Sequence, residues 1–77
     1  MIEKVKYKGK VYDARHGGPF DRGAADSYYG RNPWPHYFVG DTYSSDVVTR
    51  DQMAQEEIEA YLAGYDENAE AGNFKDY

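Results

Sequence analysis

Seventy-seven residues are enough for one domain and no more, and a chain this short buries only roughly 60 % of the surface its unfolded form exposes. The absence of Cys excludes disulfide staples, thiolate metal sites and a Cys nucleophile, and a net charge of −5 argues against a protein whose main work is gripping phosphate backbones. No apolar run approaches the roughly 20 residues that cross a bilayer, and Met1-Ile2-Glu3-Lys4 does not start a signal peptide, so the expected setting is the cytoplasm, away from membranes.

Composition leaves open whether such a chain folds. Leu, Ile, Val and Phe together supply 11 of the 77 residues, which with the net charge resembles a disordered composition. Nine Tyr and one Trp argue the other way, since each such ring can bury about 150–250 Å². The aromatics are therefore read first as a core. Charge divides the chain: residues 1–35 carry seven Lys/Arg and four Asp/Glu, residues 36–77 two and ten. The asymmetry fits either a basic partner-binding face or two halves that attract each other within the fold, and the second is the plainer reading.

In chain order, Val5, Tyr7, Val11 and Tyr12 flank Lys8-Gly9, a two-residue turn, and predict a β-hairpin with lysines on its polar side and edge. Arg15-His16-Gly17-Gly18-Pro19 is a loop. Asp21 is the expected N-cap of a short helix over residues 21–29, with Phe20 as a hydrophobic staple toward Ala25, Arg22 and Asp26 paired on its surface, and Gly30 at its end. Asn32-Pro33-Trp34-Pro35 must be extended, because proline removes a donor and restricts the residue before it. Residues 36–39 suit a short third strand, and residues 42–48 a polar loop with an extended piece at Val47-Val48. Thr49 and Gln52 have capping-box spacing and open the strongest helical pattern, residues 50–65, with Ala54, Ile58, Tyr61, Leu62 and Tyr65 on one stripe. Residues 66–77 lose that pattern and are expected to form a loose tail on which Phe74 and Tyr77 can still dock. The resulting fold class is α+β: a single small domain with an N-terminal hairpin and a short third strand, packed against one C-terminal amphipathic helix, plus the short helix near 21–29.

Catalytic constellations are missing from this pattern. The chain has two His, His16 in a Gly-rich loop and His36 after Pro35, and neither lies in a triad-like or metal-ligand spacing. No enzyme, metal or cofactor is expected. Gly17-Gly18 lacks the lysine and spacing of a phosphate loop. The informative stretch is residues 15–37, where Arg15, Arg22, Tyr28, Tyr29, Arg31, Trp34, His36 and Tyr37 concentrate the residue types that dominate protein interfaces, on a largely irregular segment. The same mixture, extended by Lys4, Lys6, Lys8 and Lys10, can stack bases and hold phosphates, which makes single-stranded nucleic acid the alternative partner.

Pro19-Phe20-Asp21-Arg22-Gly23, Ala25-Asp26-Ser27-Tyr28-Tyr29-Gly30-Arg31 and Pro35-His36-Tyr37 resemble a pattern in small bacteriophage and prophage proteins that have no established activity. The later Glu56-Glu57-Ile58-Glu59-Ala60-Tyr61, Ala63-Gly64-Tyr65 and Asn73-Phe74-Lys75-Asp76-Tyr77 are similar to that group too. The resemblance covers roughly residues 7–77. It implies a phage or prophage gene acting in a bacterial host, and an ordered segment 74–77, but no mechanism. The expected function is a non-enzymatic accessory or modulator that binds a host or phage protein.

Overall fold

Two left-handed residues in succession reverse the chain near its start. Lys8 (φ 50°) and Gly9 (φ 81°) form the turn between β1 (Lys4–Tyr7) and β2 (Lys10–Asp13), a backbone hand that matches strand twist. The strands pair antiparallel with Tyr7 opposite Lys10 and Lys4 opposite Asp13, as the sequence predicts. In this computed structural model the described residues are 4–40, 46–72 and 74–75. The remaining elements are α1 (Pro19–Tyr28), β3 (His36–Phe38), β4 (Val47–Thr49), a single 3₁₀ turn (Arg50–Gln52) and α2 (Gln55–Ala71). The α+β class, the first hairpin and the C-terminal helix are therefore as expected, and the extended piece at Val47-Val48 proves to be a fourth strand, paired with β3 in a second hairpin.

The start of α1 differs from expectation. Gly18 is the N-cap and Pro19 occupies the first turn, where its missing N–H costs nothing. Asp21 lies inside the helix, and its carboxylate reaches back to accept the Gly17 N–H at 2.9 Å. Phe20, rather than stapling the helix from outside, is buried within it and meets the Tyr12 ring of the hairpin at 5.6 Å. Arg22 and Asp26 turn inward instead of pairing on the surface.

α2 also starts later and runs further than predicted. Met53 adopts extended backbone and is buried, which separates the Arg50–Gln52 turn from the long helix. Thr49 stands at the N-cap of the 3₁₀ turn rather than of the long helix, and its side chain makes no cap bond to the backbone; its hydroxyl donates to Asp51 Oδ1 at 2.7 Å. Ala54 becomes the N-cap, and Glu57, three residues on, accepts its N–H at 2.8 Å. Residues 66–71 are helical rather than a loose tail, held by Asn68, which donates to Ser27 Oγ at 3.0 Å, and by Glu70, 3.1 Å from Lys8 Nζ. Phe74 is exposed, the Lys75 N–H donates to Tyr28 O at 2.7 Å, and the expected docking of Tyr77 and the loop at 42–45 lie outside the described residues.

The two helices cross in backbone contact. A Cβ added at Gly23 would overlap the Tyr61 carbonyl, and one added at Gly64 the Phe20 carbonyl. Glycine here permits close approach, so the residue that weakens α1 locally is required by its packing. Around the crossing, Phe20, Met53, Tyr61 and Ala63 are buried beside Arg22, Asp26, Ser27, His36 and Asn68. Leu62 and Ala54, assigned to the apolar stripe, face outward, and Gly64 and Asn68 take the inward positions.

The second hairpin docks on the 15–17 loop. The Phe38 N–H donates to Gly17 O at 2.8 Å and Arg15 Nη2 donates to Phe38 O at 2.8 Å, which closes the outer edge of β3. The charge asymmetry is partly internal, since Lys8 and Lys10 reach Glu70 and Glu59 on α2 at 3.1 and 3.4 Å. Exposed pairs of this kind orient more than they stabilise.

Gly23→Ala and Gly64→Ala will each cost about 3 kcal/mol or more, a large share of a total of order 5–10 kcal/mol for a domain this size. Ala25→Gly on the same helix will cost about 1 kcal/mol through propensity alone. Urea unfolding followed by far-UV circular dichroism tests the contrast.

Candidate functional site

Asp26 organises the segment between α1 and β3. Its side chain is only 4 % exposed, so its carboxylate needs partners at every lone pair it can offer. The Tyr61 hydroxyl donates to Oδ2, Arg31 Nη1 lies 3.4 Å from Oδ1, and His36 Nδ1 lies 3.8 Å from Oδ2. The Arg31 N–H also donates to the Asp26 carbonyl at 2.8 Å. Asp26 can reach these groups because α1 turns its polar 22–23–26–27 face toward α2, the face that glycine and serine let approach closely.

Two tyrosines one turn apart on α2 hold the loop. Tyr61 is fully buried and its oxygen accepts the Trp34 N–H at 2.9 Å while donating to Asp26. Burial first, and then the adjoining Asp26 carboxylate, push the Tyr61 hydroxyl well above the ordinary tyrosine range. Tyr65 donates to Arg31 O at 2.5 Å. Four residues of helix rise about 6 Å, so the Trp34 N–H and the Arg31 carbonyl are held by side chains from neighbouring turns of α2. His36 Nδ1, 2.6 Å from Trp34 O, donates to that carbonyl, and its ring stacks beneath the indole with centroids 4.5 Å apart.

The structure sorts the eight candidate residues. Arg22 and His36 are 7 % and 5 % exposed, so they support the surface from within rather than meeting a partner. Arg15 is occupied with the β3 edge, donating to Phe38 O and Gly40 O and lying over the Tyr37 ring at 5.9 Å. Tyr37 is half-buried; a hydrogen bond to Glu57, together with burial, raises its hydroxyl above the usual range. Tyr28 is half-buried and braces Tyr29 edge-on at 5.0 Å. Three candidates remain at the surface: Tyr29, Arg31 and Trp34, the last 53 % exposed despite its fixed backbone. Lys75, which carries no signal in the sequence, joins them: its ammonium lies 5.3 Å from the Tyr29 ring centre, as the Arg31 guanidinium does at 5.0 Å. Asp26, Tyr61 and Tyr65 were legible only as a surface charge and a core stripe, and their joint role depends on how the helices cross.

Among the described residues no three His, Asp or Glu side chains converge as metal ligands, and no helix is long and apolar enough to cross a membrane. The arrangement can present a rigid aromatic–cation surface. No protein-family model, curated protein or solved structure matches the chain.

Tyr61→Phe will leave Asp26 and the Trp34 N–H without their buried partner and cost about 2–3 kcal/mol in chemical unfolding. The raised Tyr61 pKa also sets a pH dependence. Below about pH 10 the hydroxyl is protonated in both states and its contribution is intact; as pH rises further, the unfolded chain releases this proton first and stability falls. The Phe variant will lose less stability than the parent between neutral and strongly alkaline pH, measured as the shift in urea midpoint. A residual loss will remain because Tyr7 and Tyr37 shift in the same direction.

Proposed function

We propose that this chain is a non-enzymatic protein-binding accessory or modulator, encoded by a phage or prophage and acting on a host protein, with Tyr29, Arg31 and Trp34 as its contact residues. The observation that carries this reading is the state of Trp34. An indole that could bury itself is left half exposed, while its peptide N–H and carbonyl are tied to Tyr61 and His36. A large apolar side chain held in place before binding forfeits little entropy on association, and Trp, Tyr and Arg are the types that dominate interface energetics. The resemblance to small phage and prophage proteins supports the host setting.

Single-stranded nucleic acid is the weaker reading. It draws on the same aromatics, but two of the lysines meant to extend a basic track, Lys8 and Lys10, face Glu70 and Glu59.

A tagged pull-down from bacterial lysate, divided into nuclease-treated and untreated halves, tests the proposal. A protein retained after nuclease and lost with Trp34→Ala is the expected result. Trp34→Ala will change stability by about 1 kcal/mol or less, because half of the ring is already in water and only its stacking is forfeited. Retention of the same protein by a folded Trp34→Ala variant will overturn the assignment, and nuclease-sensitive capture will favour nucleic acid.

A further inference from the structure

The protein is acidic, yet the corner beside Trp34 is locally basic. Arg31 and Lys75 both lie within 5.3 Å of the Tyr29 ring centre, and the Arg31 side chain is 59 % exposed. The chain places Lys75 at the C-terminal end of α1, where its backbone N–H donates to Tyr28 O at 2.7 Å, and the helix dipole there tolerates its positive charge. Arg31 meets the buried Asp26 through Nη1 at 3.4 Å while most of its side chain stays in water. Tyr65 and Tyr61 keep Arg31 and Trp34 on the same side of α2, about one turn apart. Through Tyr61 and Asp26 the Trp34 peptide and the Arg31 guanidinium are held to one buried pair of groups, which sets the exposed indole close to the cations.

We infer that the partner brings an acidic segment with an apolar side chain to this face, its carboxylates toward Arg31 and Lys75 and its apolar group against Trp34. This rests on the protein-binding reading above and specifies the partner's chemistry. An acidic peptide suits the site better than nucleic acid because a few local cations satisfy it, whereas a phosphate backbone demands a continuous basic track on a chain of net charge −5.

Trp34 is the sole tryptophan, so its fluorescence reports binding directly. The probes are a synthetic peptide of Asp and Glu flanking one Phe, its counterpart with Lys in place of every acid, and oligo-dT. The acidic peptide will give a saturable change that weakens as salt is raised, and the Lys peptide will give none. Lys75→Glu, on an exposed side chain, will weaken the acidic peptide about threefold, and Arg31→Gln/Lys75→Glu at least about tenfold, with circular dichroism unchanged. An equal response to the Lys peptide, full affinity in folded Lys75→Glu, or tighter binding of oligo-dT will each overturn the inference. In the lysate pull-down, a protein lost with Trp34→Ala but kept by Lys75→Glu will leave the protein-binding reading standing and remove this one.

Discussion

The fold depends on two helices that touch backbone to backbone at a pair of glycines. At Gly23 and Gly64 the backbone of each helix occupies the space a Cβ would need on the other. That approach lets a chain with very few aliphatic residues form a close-packed interior, because backbone and small side chains fill volume that Leu or Ile would fill elsewhere. It also places the polar face of α1 inside. Ser27 meets Asn68, and Asp26 meets Tyr61, only at this separation.

The interior that results is unusually polar for a domain this small. A buried carboxylate is costly unless each oxygen is paired, and Asp26 meets the condition with the Tyr61 phenol on Oδ2 and the Arg31 guanidinium on Oδ1, from α2 and from the loop after α1. Such a network adds less net stability than apolar packing of the same volume, but its geometry admits few alternatives. In a chain that has little hydrophobic area to distinguish one packing from another, directional bonds of this kind select the arrangement. The same network reaches outward: Tyr61, which pairs with Asp26, also accepts the Trp34 N–H.

The surface follows from the interior. Tyr61 and Tyr65 convert one turn of α2 into two anchor points for the 31–34 backbone, and His36 supplies a ring for the indole to rest on. Ordering an exposed loop usually costs conformational entropy, and here the peptide on either side of Trp34 is already tied down in the folded protein. Trp34 and Arg31 differ in this from Val11, Val39 and Phe74, which are also exposed but lack comparable ties to Tyr61, Tyr65 or Asp26 among the bonds described above.

Local sequence determined the pieces that need only local physics. Lys8-Gly9 dictated a tight hairpin, the 32–35 prolines an extended connection, Gly30 the end of the first helix, and the 58–65 periodicity a helix with tyrosines facing inward. The class of the fold followed from these. Tertiary structure decided what depends on distant neighbours: that Gly23 is a contact point and not merely a weak spot, that burial of Met53 moves the start of α2 past Thr49, and that Asn68 extends it beyond Tyr65. It also decided the fate of the Arg- and Tyr-rich segment. Composition cannot distinguish a buried Arg22 or His36 from an exposed Arg31 or Trp34, because the same side-chain chemistry serves either role. Only the crossing of the helices assigns the first pair to the interior and leaves the second in water.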